Sequence, residues 1–117
     1  MDAAEKKSFA SEFYSRQVVM NELGEKGQKK LAEAKIAVVG VGRLGTVSSL
    51  YLALAGVGYI RLIDQDTVET QNLHRQILFT TSDLHYPKAE AAAKRLQQLN
   101  PLITVEAVPE NVNANNV

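Results

Sequence analysis

The stretch from Ile36 to Asp66, IAVVGVGRLGTVSSLYLALAGVGYIRLIDQD, constrains the rest of the chain more than any other. Four apolar residues, Ile36 to Val39, run into Gly40-Val41-Gly42-Arg43-Leu44-Gly45. An apolar, small-residue segment follows from Thr46 to Ala55. Gly56-Val57-Gly58 then turns the chain into a second apolar run, Tyr59 to Ile63, which ends at Asp64. The order reads strand, glycine turn, helix, strand, acid. Units of this kind set a nucleotide against the N-terminus of their helix. Gly40 lets the chain turn sharply off the strand. Gly42 lets a ligand approach the backbone, and Gly45 lets the helix pack closely on the sheet. The first-turn N–H groups have no intrahelical partner and can face an anion. Asp64, 24 residues past Gly40, stands where a carboxylate reaches ribose hydroxyls. NAD, FAD and ATP proteins share the pattern, so it points to a nucleotide without choosing one.

A chain of 117 residues, 45% hydrophobic and 22% charged, supports one modest core. Lys and Arg number 13, as do Asp and Glu, so no global field favours nucleic acid or an anionic membrane. The absence of cysteine excludes disulfides and thiol chemistry from these residues, and two histidines make a His/Cys metal site a poor fit. No apolar run approaches the roughly 20 residues of a membrane span. The charged start, MDAAEKKSFASEF, lacks an apolar signal core, so a cytoplasmic protein is the expectation.

Before the glycine unit, residues 1–10 read as loose. Ser8 or Ser11 then caps a short helix through Phe13, Tyr14, Val18 and Val19, and a second helix spans about Glu25 to Ala34. The first strand, about Lys35 to Val39, is apolar on both faces, as buried parallel strands are. The helix after it is expected to bury a stripe of Leu44, Val47, Tyr51 and Ala55. After Asp64 comes a polar stretch, QDTVETQNLHRQ, directly beyond the carboxyl end of a strand, where ligands of open α/β sheets sit. Pro87 opens a helix to about Leu99, with Ala89, Ala92, Ala93, Leu96 and Leu99 inward and Lys88 in its first turn. Ile103 to Ala107 reads as a third strand, and the last nine residues, PENVNANNV, as frayed.

The expected fold class is therefore α/β. It is a Rossmann-like β-α-β-α-β half of a doubly wound parallel sheet, residues 35–117, preceded by a helical extension, residues 1–34. Right-handed crossovers order the strands 3-2-1. That leaves strand one as an open edge, and the chain reads as a fragment, or as a chain whose edge a second one covers. Arg75 and Lys88 beside a helix N-terminus suit a triphosphate. Asp66 could help hold Mg²⁺ or simply order its loop. Arg43, in a first helical turn, is poorly placed for the dipole unless phosphate pairs with it.

Tyr14-Ser15-Arg16-Gln17, Gly27-Gln28, GVGRLG, Ala55-Gly56-Val57-Gly58, LIDQDTV, NLHRQ, Pro87-Lys88 and Leu99-Asn100-Pro101 occur in the order and spacing of one family. Over about residues 13 to 108 the chain resembles the ThiF/MoeB/HesA family, relatives of the ubiquitin-activating enzymes. The resemblance implies an ATP- and Mg²⁺-dependent adenylyltransferase acting on the C-terminal Gly-Gly carboxylate of a ubiquitin-like or sulfur-carrier protein. It implies that Asp64 binds ribose, that Asn72 and Arg75 contact nucleotide phosphates, and that Lys88 contacts the triphosphate. Arg16 resembles an arginine supplied in trans within a homodimer, so Arg16, Arg75 and Lys88 are the implied catalytic cations. Gly40, Gly42, Arg43, Gly45, Asp64, Asp66, Asn72, Arg75 and Lys88 make the implied nucleotide site. Zinc would enter only through a C-terminal half that this sequence lacks, and residues 1–117 alone are expected to be inactive. Three positions depart from the family pattern: Arg43 and His85 stand where glycine is usual, and Gln71 where serine is common. The Arg43 side chain could clamp phosphate, fill the site or swing to solvent. The alternatives are a non-catalytic nucleotide-binding or dimerisation module and, on the glycine-acid pattern alone, an NAD-dependent oxidoreductase.

Overall fold

A computed structural model of the chain describes residues 1–15, 24–73 and 78–116, with Arg43 described by its backbone alone. In chain order the elements are α1 (Ala3–Phe13), α2 (Gly24–Glu33), β1 (Lys35–Val39), α3 (Arg43–Ala55), β2 (Tyr59–Ile63), α4 (Lys88–Leu99) and β3 (Thr104–Val108). Single 3-10 turns lie at Thr70–Asn72 and Thr81–Asp83. The three strands are parallel in the order β1-β2-β3. Their register sets Val39, Ile63 and Val108 side by side at the carboxyl end.

Side chains alternate across a strand. Ile36 and Val38, Ile60 and Leu62, and Val105 and Ala107 meet the helices on one face of the sheet, where Ala53, Ala89, Ala92 and Leu96 complete the core. Full burial of Ile60, Leu62 or Leu96 contributes about 1.5–3 kcal/mol each. The small residues of α4 let its axis approach the sheet, and its polar residues Glu90, Lys94, Arg95 and Gln98 face solvent.

Four local expectations are corrected. Residues 1–10 are not loose: α1 starts at Ala3 because the Asp2 carboxylate accepts the Glu5 N–H at 2.8 Å, a side-chain cap that Ser8 and Ser11 do not supply. The strand β1 is not buried on both faces. It alternates between exposed and half-buried residues and leaves Val39 57% exposed, because β1 is the sheet's edge and its second face carries no helix among the described residues. On α3 the expected stripe is the outward one, with Leu44 82% and Tyr51 68% exposed. Thr46, Ser49 and Ala53 are the residues buried there, because a helix held this close to a sheet has room only for small side chains. The tail is folded on itself. Asn113 and Asn116 side chains accept backbone N–H bonds from Asn115 and Asn113, and the Arg61 guanidinium donates to the Asn116 carbonyl at 3.0 Å.

Candidate functional site

At the carboxyl end of the sheet the chain leaves β1 through Gly40, whose φ of 88° lies in the left-handed region that glycine enters without a Cβ penalty. The Gly40 N–H reaches across to the Ile63 carbonyl at 2.8 Å, so the turn is pinned to the end of β2. Gly42 caps α3 without any side chain, and the first turn of α3 holds no acid. The Thr46 N–H closes that turn onto the Gly42 carbonyl at 2.9 Å. A Cβ on Gly45 would fall on the Gly40 carbonyl oxygen, whereas one on Gly42 would meet nothing within 4 Å. The turn therefore has one glycine demanded by its own packing and one that faces open space. Beside it lies a shallow cleft of about 230 Å³ between Val39, Gly40, Asp64, Gln65, Asp66 and the chain at Glu110 to Val112.

Asp64, half-buried at the end of β2, engages both carboxylate oxygens. Oδ2 accepts the Val41 N–H at 2.6 Å and Oδ1 accepts the Asp66 N–H at 2.8 Å. The loop beyond it pairs with the approach to α4. Thr67 and Pro87 form an antiparallel bridge. The Val68 N–H donates to the Tyr86 carbonyl, the His85 N–H to the Val68 carbonyl, and the Lys88 N–H to the Asp66 carbonyl at 2.8 Å. Val68 is fully buried and anchors the pairing in the core. This ribbon tightens into a turn at His85, whose φ is 70°. A left-handed residue there accounts for the glycine usual in the resembling family.

Asn72 is buried and belongs to a reciprocal cap. Its Oδ1 accepts the Glu69 N–H at 2.9 Å while the Glu69 side chain accepts from the Asn72 backbone. The Thr67 hydroxyl donates to Glu69 as well. The Asn72 carboxamide nitrogen has no hydrogen-bond partner among the described residues and remains a donor.

Lys88 is 8% exposed at the start of α4. Its ammonium has no hydrogen bond or ion pair among the described residues. Lysine is seldom buried without a partner, and a cation at a helix N-terminus opposes the dipole. A bound anion would reverse both costs.

The structure thus brings Gly40, Gly42, Gly45 and Asp64 together at one end of the sheet, and joins Asp66 to Lys88 through the backbone. Arg16 and Arg75 lie outside the described residues, as does the side chain of Arg43. Asp66 is exposed, and its carboxylate makes no hydrogen bond among the described residues. Among those residues no group of three or more His, Cys, Asp or Glu could hold a metal ion. Sequence reasoning missed the ribbon between residues 66–68 and 85–88. The alternation of Val68 with polar neighbours and the Tyr86-Pro87 step were its only local signals.

The sequence model of the ThiF family matches residues 14–117. The chain is 48% identical over 103 residues to a sulfur carrier protein adenylyltransferase of Thermus thermophilus, covering 88% of this chain and 38% of that one. It is 46% identical over 99 residues to the sulfur carrier protein ThiS adenylyltransferase of Escherichia coli, covering 85% of this chain and 39% of that one. The crystal structure of Escherichia coli MccB with AMPCPP and MccA superposes with a TM-score of 0.79 at 36% identity, over 88% of this chain and 32% of that one. The chain therefore spans about two-fifths of the length of these curated relatives.

Proposed function

The chain belongs to the ThiF family, and from that premise we propose that it serves ATP-dependent adenylation of the C-terminal carboxylate of a ubiquitin-like or sulfur-carrier protein. The observation that carries the reading is Lys88 at the start of α4, a residue 8% exposed whose ammonium has no hydrogen bond or ion pair among the described residues, and whose backbone is tied through Asp66 and Asp64 to the turn ahead of α3. Two cationic features, an exposed helix N-terminus and a lysine, then meet the polyphosphate.

In the reaction, a carboxylate oxygen of the carrier attacks the α-phosphorus of ATP. The bond to the β-phosphate oxygen breaks, and pyrophosphate leaves with the electron pair. Phosphoryl chemistry of this kind depends on positioning and on stabilising charge that develops on phosphate oxygens. The open space at Gly42 admits a phosphate to the backbone. Asp64 keeps one lone pair per oxygen for ribose hydroxyls, Asn72 offers its carboxamide N–H, and Lys88 supplies charge. Arg16 and Arg75 enter by family resemblance as further cations, Arg16 across a homodimer.

Magnesium would accompany the ATP phosphates and neutralise their charge. Asp66 and Glu110 line this cleft with carboxylates unengaged among the described residues, and Asp64 already holds two backbone groups; the described residues do not fit a complete Mg²⁺ site. The assignment of residues 35–117 as the nucleotide-binding unit and 1–34 as its extension belongs to the same reading, as does a cytoplasmic location, where ATP is supplied. Calorimetry with ATP and NAD tests ligand choice, and ATP–pyrophosphate exchange with and without a Gly-Gly-ended carrier tests the chemistry. Tighter binding of ATP is expected. Equal or tighter binding of NAD overturns the reading in favour of an oxidoreductase, and ATP binding without exchange in a protein as long as its relatives favours a non-catalytic module.

A further inference from the structure

The two hydrogen bonds on Asp64 reach two different segments of the chain. Val41 lies inside the glycine turn that leads into α3, and Asp66 lies in the loop whose carbonyl accepts the Lys88 N–H. One carboxylate thus joins the glycine turn to the start of α4 through two backbone donors. Val41 is fully buried, so its N–H has no access to water if the carboxylate is withdrawn. Charged acceptors on backbone donors make the stronger class of hydrogen bond. A carboxamide cannot replace this one, because its NH₂ group would face an N–H.

We propose that Asp64 is a positioning residue. It sets the glycine turn and Lys88 at a fixed separation, so that polyphosphate meets both at once. The ribose contact is then its second task. The proposal rests on the reading of Lys88 and the α3 N-terminus as phosphate contacts. Inorganic tripolyphosphate is the discriminating probe, since it has phosphates and no ribose.

The test uses calorimetry and amide hydrogen exchange on residues 1–117, comparing wild type with Asp64→Asn, Lys88→Met and the double variant. Asp64→Asn should weaken tripolyphosphate binding about tenfold. The double variant should lose less than the product of the two single losses, because Asp64 acts partly through Lys88. Exchange at Val41 and Asp66 should accelerate in Asp64→Asn while Leu62, in the core of β2, stays protected. Unchanged tripolyphosphate affinity with a loss confined to ATP would make Asp64 a ribose contact alone and overturn the proposal. Independent, multiplying losses would overturn it too. If Asp64→Asn unfolds, shown by lost protection at Leu62, wild type decides: tripolyphosphate should slow exchange at Val41 and Asp66 together, and protection of one alone refutes the link. If wild type binds neither tripolyphosphate nor ATP, the proposed function falls. The exchange comparison then still decides the linkage, because equal rates at Val41 and Asp66 in both proteins refute it.

Discussion

The Tyr14 hydroxyl accepts a 2.8 Å hydrogen bond from the Asn100 carboxamide, joining residues 86 positions apart in the chain. Asn100 is fully buried, and its orientation is fixed from both ends. Its nitrogen also donates to the Ala53 carbonyl at 2.7 Å, and its oxygen accepts the Leu102 N–H at 3.1 Å. One side chain therefore ties together the ends of α1, α3 and α4. Burial pushes the Tyr14 phenol above its usual value of about 10, and the Asn100 hydrogen bond pulls it partly back.

That shift predicts an alkaline weakness. Below pH of about 10, Tyr14 is protonated in both folded and unfolded chains, and its contribution is complete. Above that pH the unfolded chain ionises first, so stability falls as pH rises towards and through the raised folded value. Urea unfolding of wild type and Tyr14→Phe should differ by about 1 kcal/mol at pH 8, the usual worth of one hydrogen bond. The gap should narrow above pH 10. A gap that stays constant with pH would show that Tyr14 ionises equally easily in both states.

The two site glycines should separate fold from ligand. Gly45→Ala drives a methyl into the Gly40 carbonyl and should cost about 3 kcal/mol or more, since backbone must move. Gly42→Ala meets nothing and should melt near wild type, yet weaken ATP binding by narrowing the approach to the backbone. Thermal melts and calorimetry on both variants check this; equal melting temperatures would refute the packing argument.

Lys88→Met keeps the apolar stem and removes the charge. The substitution should stabilise the unliganded chain by roughly 0.3–1 kcal/mol, the cost of a cation at a helix N-terminus. It should also lose most tripolyphosphate affinity. A destabilised variant would mean that Lys88 has a structural partner.

His85 holds a φ of 70° that β-branched residues resist. His85→Val should lose about 1–2 kcal/mol. His85→Gly should stay within about 1 kcal/mol of wild type, because relief of strain is offset by a more flexible unfolded chain. Denaturant midpoints for the two variants decide it, and equal losses would refute the strain.

The outward face of α3 and the side of β1 that no strand covers among the described residues should make residues 1–117 self-associate as concentration rises. Leu44→Lys with Tyr51→Lys should reduce light scattering and leave stability within about 0.5 kcal/mol per substitution, as exposed positions allow. A monodisperse wild type would refute the expectation.

The strands and the glycine turn were legible because apolar runs and glycine spacing are local signals. Their order followed from crossover handedness, and Asp64 from its distance to Gly40. Hydrophobicity points to the wrong face of α3, because size marks the inside there: Thr46, Ser49 and Ala53 are the buried residues. The run Gly45, Thr46, Ser49, Ala53 at helical spacing carries the size signal. Asp2 followed three residues later by Glu5 was a start signal for α1, obscured by the charge around it. The bond from the Val41 N–H to Asp64 exists only once β1 and β2 pair, so local sequence points to the ribose role alone. The Tyr14–Asn100 bond lay beyond any local reading, since it depends on α1 and α4 meeting.

The outer side of β1, which pairs with no strand among the described residues, also has a direction. All three strands point the same way, and their carboxyl ends finish level with Gly40. A further strand laid parallel along β1, whichever chain supplies it, inherits that heading. Its last residue arrives beside the glycine turn, and the loop it feeds opens over the same cleft from the side opposite Asp64. The vacant edge is thus an address as well as a liability: a partner strand that docks in register delivers its following loop to the mouth of the site.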